Sequence, residues 1–401
     1  MKICMITREY PSSFNEPIVS GELKNPFYLS QKLREIGYDI TVITHNKNRG
    51  IRNFNGVRIY DISEGFLKGV VRSTTSSLNE VKEFLKLIRE EDFDIIHAHL
   101  SVAGLALLKK VGKIRIPIIT TAHGTSLPET EANLEEFSFY NTFARLDSWM
   151  QYRIDCFAWH NSDKVISAGK YQVREMLEIY RLPKEKVISI PNGVDTSFYK
   201  PDPKAGSKVR EELGVVDKKI VLFVGRLVRK KGLQYLIDAA PLILKEIPNT
   251  VFLVIGGTSR YAQYELELKR RIINLNLEEK FIIIKNVPEK DMPSYYNAAD
   301  VCVFPSINYE PLPTVIFEAM ACGKPIVASN LGGIPEQIGY KDTLVPQKNH
   351  IALAKMIIKI LKDDNLSREL SNKNRKRARE FHWEKISKMH VELYRGVVDG
   401  D

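Results

Sequence analysis

The strongest constraint in this 401-residue chain is an alternation that runs from end to end: short, continuously apolar runs of strand length take turns with longer stretches of helical periodicity. A strand buried on both faces has no polar side to show, so unbroken Val/Ile/Leu runs separated by helices mark parallel sheets with crossover helices. In the first half the expected strands are Lys2–Thr7, Asp39–Thr44, Val57–Tyr60, Asp94–Ala98, Ile116–Thr121, Lys164–Ser167 and Val187–Ile190. The helices expected between them include Pro26–Ile36, Leu78–Glu90 and a long stretch over Glu131–His160. A second alternation runs through Ile220–Val224, Val251–Ile255, Phe281–Ile284, Val301–Pro305, Pro325–Ala328 and Thr343–Val345. Pro191-Asn192-Gly193 reads as a turn, and Phe198–Lys208, which has no apolar period, reads as an interdomain linker. The expectation is an α/β chain of two Rossmann-like domains in series with a cleft between them, each large enough for a full core.

Composition narrows the class further. Hydrophobic residues make up 44% and charged residues 27%, ordinary for a globular protein. No apolar run approaches the length of a membrane span and Met1–Ile6 is too short for a signal peptide, so a cytoplasmic location is expected. Cys4, Cys156, Cys302 and Cys322 lack metal-ligand spacing, which fits a reduced compartment and not a zinc site. The formal charge of +10 suits an anionic ligand or membrane surface, and equally any Lys-rich soluble protein. The basic run Lys373–Arg379 reads as a solvated helix face, with no nucleic-acid module beside it.

Two carboxylates stand out. Glu310 and Glu318 lie eight positions apart, one just before and one inside an almost wholly apolar helical run. A buried carboxylate costs several kcal/mol unless a cation or hydroxyl donor meets it, so Glu318 requires a partner. Glu310 falls in the loop at the carboxyl end of the strand Val301–Pro305, where open α/β sheets place their ligands. Pro313 and Thr314 suit a helix start, with Thr314 or Ser306 able to cap it. The alternative is a Glu310 that complements a helix dipole and a Glu318 on the surface, against which Phe317, Ala319, Met320 and Ala321 argue. The loop Gly225–Gly232 follows the first strand of the second domain and opens a helix, so its amides with Arg226 and Lys231 would suit a diphosphate. Cations for a diphosphate and a carboxylate for a ribose diol then share one sheet face, which describes a nucleotide diphosphate site.

With these residues on one face, the chain resembles retaining glycosyltransferases of the GT-B fold, specifically glycosyltransferase family 4. The resemblance rests on the spacing of Glu310 and Glu318, on Gly225-Arg226 with Lys231-Gly232, and on Pro191-Asn192-Gly193-Val194-Asp195. Gly332-Gly333-Ile334-Pro335-Glu336 and Phe381-His382-Trp383-Glu384 extend it over nearly the whole chain. It implies an acceptor-binding domain over 1–197, a nucleotide-sugar domain over 198–380, and a helix over 381–401 that crosses back to the first domain. It also implies catalytic roles for Glu310, beside the donor sugar, for His123 in Thr121-Ala122-His123-Gly124, and for Arg226 and Lys231. The implied donor-binding set is Gly21, Arg226, Lys231, Val287, Leu312, Thr314, Val315 and Glu318, the last accepting hydrogen bonds from the donor ribose. Pro311 and Pro313 lack N–H groups, so only Leu312, Thr314 and Val315 can donate from that loop.

The implied reaction is transfer of a sugar from a nucleotide diphosphate donor with retained configuration. Cations and helix amides replace a divalent metal, no cofactor is required, and the two domains close on the donor. The acceptor is a carbohydrate, a sugar phosphate or a lipid-linked glycan. Phe66–Arg72 is compatible with a peripheral contact at the inner membrane surface, and a solvated loop or buried helix explains it as well. A sugar-nucleotide epimerase of the same fold and a catalytically silent nucleotide-sugar binder are the competing readings. A nicotinamide oxidoreductase is disfavoured because no G-x-G-x-x-G follows the opening strand. His97 with His99, and Asp92-Phe93-Asp94, imitate metal motifs without the context that would make them so.

Overall fold

Strands that read as unbroken apolar runs do form parallel sheets. In the computed structural model, which describes residues 1–18, 21–46, 50–63, 85–87, 91–99, 101–124, 139–257 and 262–400, the chain divides into two α/β units. The first comprises Met1–Ser12, Glu22–Pro191 and Trp383–Asp401, and the second Ser13–Gly21 and Asn192–His382. Phe66–Arg72, most of the expected helix Leu78–Glu90, the stretch 131–138 and Ser20 lie outside the described residues.

The first unit's sheet contains β1 (Lys2–Thr7), β2 (Asp39–Asn46), β3 (Gly50–Phe54), β4 (Val57–Ser63), β5 (Ile95–Ala98), β6 (Ile118–Ala122), β7 (Lys164–Ser167) and β8 (Val187–Ser189). Its spatial order is β3-β4-β2-β1-β5-β6-β7-β8, parallel except for the antiparallel pair of β3 with β4. β3 escapes the periodicity reading because it is short and largely exposed. Asn55-Gly56 does signal it: both residues take positive φ, 51° and 81°, the geometry that a two-residue hairpin turn demands.

The second unit's sheet contains β9 (Lys219–Val224), β10 (Thr250–Ile255), β11 (Phe281–Ile284), β12 (Val301–Phe304), β13 (Ile326–Ser329) and β14 (Leu344–Val345), ordered β11-β10-β9-β12-β13-β14 and parallel throughout. One face is covered by the helices Leu233–Glu246 and His350–Lys362. The second of these buries Leu353, Ala354, Ile357, Ile360 and Leu361, a helical stripe, and Asn349 caps it by accepting from the Ala352 N–H. Each such aliphatic side chain contributes about 1.5–3 kcal/mol on burial.

One segment departs from expectation. Residues 203–208, within the stretch read as a linker, open the helix Pro203–Glu212. Asp202 accepts from the Ala205 N–H at 3.0 Å and Pro203 occupies the first turn, so the start is well capped. The absent apolar period is explained by Gly206: a Cβ there would lie 2.6 Å from the Asn297 carbonyl carbon, so the helix packs backbone to backbone and needs no apolar stripe.

The final helix, Trp383–Asp399, belongs to the first unit, as expected. The Trp383 ring stacks on Tyr28 with centroids 6.2 Å apart, and Tyr394 Oη lies 2.6 Å from His97 Nδ1. Among the described residues no helix is long and apolar enough to cross a membrane.

Candidate functional site

Strand order decides which loops become neighbours. The second unit's chain fills one side of β9 with β10 and β11, then returns to its other side with β12, β13 and β14. Loops leaving the carboxyl ends of β9 and β12 therefore diverge at a topological switch point, the crevice where such sheets bind ligands. β12 pairs with β9 through Val301 with Val221 and Cys302 with Leu222, so the loops 225–232 and 305–313 start side by side. They touch at Gly232, whose φ is 76° and where a Cβ would fall 1.8 Å from the Pro305 carbonyl oxygen, so no other residue fits.

Across that contact Lys231 Nζ meets Glu310 Oε1 at 2.6 Å, the ammonium 18% and the carboxylate 13% exposed. Ser306 Oγ lies 3.4 Å from the same oxygen, so the serine considered as a helix cap serves the acid instead. Arg226, half-buried, follows β9 in the same loop, and among the described residues no carboxylate meets its guanidinium. A pair this dry is worth more than an exposed one, and a polyanion arriving there would meet the Arg226 guanidinium, held by no carboxylate among the described residues, and a second cation held by a displaceable acid.

The Glu310 loop is braced from behind. The Gly333 N–H donates to the Glu310 carbonyl at 2.8 Å, Asn192 Nδ2 to that of Leu312 at 2.8 Å, and Gln337 Nε2 to that of Pro313 at 2.9 Å. These carbonyls are thereby committed to the scaffold. The helix Thr314–Ala321 starts with Pro313 in the cap position and no side chain bonds its first turn, so neither Thr314 nor Ser306 caps it as the sequence suggested. The amides of Leu312, Thr314 and Val315 consequently meet no protein acceptor among the described residues. They are three donors at a helix start, where backbone charge favours anions and hydroxyls.

Glu318 is 2% exposed. One partner that its burial demands is Tyr296, whose hydroxyl donates to Oε2 at 2.9 Å from the helix Met292–Ala298. Burial, and then the neighbouring Glu318 charge, hold the Tyr296 hydroxyl well above its usual range, so it remains a donor. Gly21 reaches the same place: within the second unit a Cβ at Gly21 would lie 3.2 Å from Thr314 Cγ2. Its segment is held by the Glu289 N–H donating to the Glu16 carbonyl and the Lys290 N–H to the Phe14 carbonyl, each at 3.1 Å. Val287, 7% exposed, stands just before these anchors at the carboxyl end of β11.

His123 belongs to the first unit, half-buried just after β6. Its Nε2 lies 3.1 Å from Nδ1 of His99, which follows β5. The His97 ring lies tilted against that of His99 with centroids 4.2 Å apart and engages both its nitrogens, Nδ1 with Tyr394 Oη and Nε2 with Thr121 Oγ1 at 2.7 Å. Burial lowers the pKa of all three imidazoles, that of His123 against an opposing pull from the Glu22 charge, so the cluster is neutral near pH 7.

The site residues named from sequence thus fall into two sets. Gly21, Lys231, Glu310, Leu312, Thr314, Val315 and Glu318 gather around the start of one helix, with Arg226 and Val287 on neighbouring loops of the same sheet edge, while His123 stands in the first unit. Missed were the braces Asn192 and Gln337 and the buried partner Tyr296. Only Asn192, in its Pro-Asn-Gly turn, carried a signal, and a turn residue does not announce what lies 120 positions away.

Known proteins resemble this chain over most of its length. Residues 27–198 match Glycosyltransferase Family 4, and residues 207–377 match Glycosyl transferases group 1. An uncharacterized glycosyltransferase of Methanocaldococcus jannaschii is 29% identical over 98% of this chain and 98% of that protein. D-inositol 3-phosphate glycosyltransferase of Corynebacterium efficiens is 25% identical over 98% of this chain and 95% of its own. Among solved structures, sucrose-phosphate synthase from Thermosynechococcus elongatus superimposes with a TM-score of 0.84 at 22% identity, covering 100% of both chains. Anabaena HepE in complex with UDP and glucose does so with a TM-score of 0.75 at 21% identity, over 98% of this chain and 99% of that one. The two structural likenesses show the fold.

Proposed function

Because this chain belongs to the family 4/group 1 superfamily of GT-B glycosyltransferases, we propose that it transfers a sugar from a nucleotide diphosphate sugar to a carbohydrate, sugar phosphate or lipid-linked acceptor with retention of configuration. The observation that carries this reading is the Lys231–Glu310 pair at the switch point beside the amides of Leu312, Thr314 and Val315, which meet no protein acceptor among the described residues. Arg226 and Lys231 take the diphosphate, and Glu318, held by Tyr296, takes the ribose diol. Gly21 and Val287 admit the donor by close backbone approach. When the anomeric carbon parts from the diphosphate oxygen, the bonding electrons leave with the diphosphate, and fixed cations stabilise the charge where it develops. The acceptor oxygen bonds to the same face of the sugar and yields its proton to the departing phosphate. Glu310, released from Lys231, and His123 orient the sugar and offset its cationic character.

The test is Arg226→Ala. Its turnover is expected to fall by about a hundredfold or more, the scale for loss of one oxyanion donor, with thermal unfolding unchanged because Arg226 makes no structural ion pair among the described residues. Activity in the presence of a chelator is expected to persist, and product anomers read by NMR to match the donor. An Arg226→Ala enzyme of wild-type rate would overturn the assignment.

A further inference from the structure

One buried nitrogen in the first unit has no use in the scheme above. His99 is 1% exposed and its Nε2, fully enclosed, has no hydrogen-bond partner among the described residues. Its other nitrogen, Nδ1, lies 3.1 Å from His123 Nε2. One proton must occupy that gap, and where it resides decides what His123 offers the site. If it belongs to His123, then His99 must carry its own proton on Nε2, an N–H buried with nothing to receive it. If it belongs to His99 Nδ1, the enclosed Nε2 is a bare lone pair. Buried N–H groups without acceptors are the rarer orphans.

Neighbouring groups do not reverse this choice. His97 is bonded at both nitrogens to hydroxyls, those of Tyr394 and Thr121, which can each donate or accept and so impose no proton position. His390, 5.7 Å from His97 between ring centroids, spends its Nδ1–H on the Ile386 carbonyl at 2.9 Å. The backbone N–H of His99 is anchored to the Ile6 carbonyl at 2.8 Å, which fixes the ring beside the end of β1.

We propose that His99 is a positioning residue: its Nδ1–H donates to His123 Nε2 and thereby confines the His123 proton to Nδ1, so that His123 faces its substrate as a hydrogen-bond donor and not as a base. Desolvation keeps both rings neutral, which preserves the arrangement near pH 7. The donor would serve a hydroxyl or phosphate oxygen of the substrate. The functional half of this inference rests on the proposed role of His123; the proton arrangement does not.

The two are separable by experiment. Full-length protein labelled with nitrogen-15 at histidine is examined by long-range proton–nitrogen correlation, with the His123 signals assigned through His123→Gln. His123 is expected as the Nδ1–H tautomer in the wild type, and an Nε2–H signal there overturns the proposal with His99 left intact. His99→Phe keeps a ring against His97 and removes the donor, so His123 should shift toward Nε2–H. His99→Asn, whose amide can donate from nearly the same place, should restore the wild-type signal. An unaltered tautomer in His99→Phe refutes the proposal. In turnover, His99→Phe is expected to lose about a hundredfold in kcat, the low end for loss of one oriented hydrogen-bond donor, with the donor KM within about twofold, and His99→Asn to recover most of it. A His123→Gln enzyme of full activity beside the expected tautomers would sink the catalytic reading of His123 and leave the proton assignment standing.

Discussion

Gly333→Ala isolates the bracing of the acidic loop from its chemistry. Gly333 has φ of −83°, open to any residue, so its requirement is space: an added Cβ would stand 1.6 Å from the Pro311 carbonyl oxygen, against about 3.4 Å for ordinary contact. The Glu310–Pro311 segment must therefore retreat by about 1.5–2 Å, since the facing atom is backbone and cannot rotate aside. That retreat breaks the 2.8 Å bond from the Gly333 N–H to the Glu310 carbonyl and draws the Glu310 carboxylate away from Lys231. Overpacking of this kind costs about 1–3 kcal/mol, and a lost buried hydrogen bond about 1 kcal/mol more. At about 2–4 °C per kcal/mol in a unit of this size, Tm should fall by about 4–16 °C. Activity should suffer more than stability, because a shift of about 1 Å in a positioning group costs about a hundredfold in rate. The assay is donor hydrolysis and transfer at a temperature where the melting curve shows the variant folded. Gly396→Ala is the control: nothing lies within 4 Å of a Cβ there, the residue is in the last helix, and alanine should stabilise by about 0.5–1 kcal/mol with turnover unchanged. A Gly333→Ala enzyme with wild-type turnover would show that the loop's position does not matter to the reaction.

Two further predictions address buried groups. Tyr296→Phe removes the hydroxyl that meets Glu318 Oε2 and should cost about 1.5–3 kcal/mol in urea unfolding, the range for a hydrogen bond to a charged group; no loss would mean that the Glu318 burial is satisfied without it. The second concerns pH, since burial pushes the His390 pKa down from 6.5 to about 4. The folded value lies below the unfolded one, so the unfolded chain binds the extra proton: the stability His390 contributes is complete above pH 6.5 and is lost as pH falls toward 4. Between pH 7 and pH 5 the wild type should therefore lose about 2 kcal/mol more than His390→Phe, by denaturant titration at each pH, and equal losses would place His390 in contact with solvent.

What was legible in the sequence and what was not divides along a physical line. Glu310, Glu318, Arg226 and Lys231 are conspicuous because each sets charge beside a strand end or within an apolar run, where burial makes charge expensive and so demands a reason. The fold was legible for a related cause: strands covered on both faces cannot hide their apolar runs, whereas exposed β3 could, and so could the helix Pro203–Glu212, which packs through Gly206 and lacks an apolar stripe. Tyr296, Asn192 and Gln337 look like any other helix or turn residues, and their value lies wholly in what folding sets opposite them, at separations of 22, 120 and 24 positions. The strand order that brings β12 beside β9 is also invisible to periodicity, yet it alone makes neighbours of Lys231 and Glu310, 79 residues apart. Groups proposed to meet a ligand thus declare themselves by costly local chemistry, while the groups that aim them become visible only once the sheet is assembled.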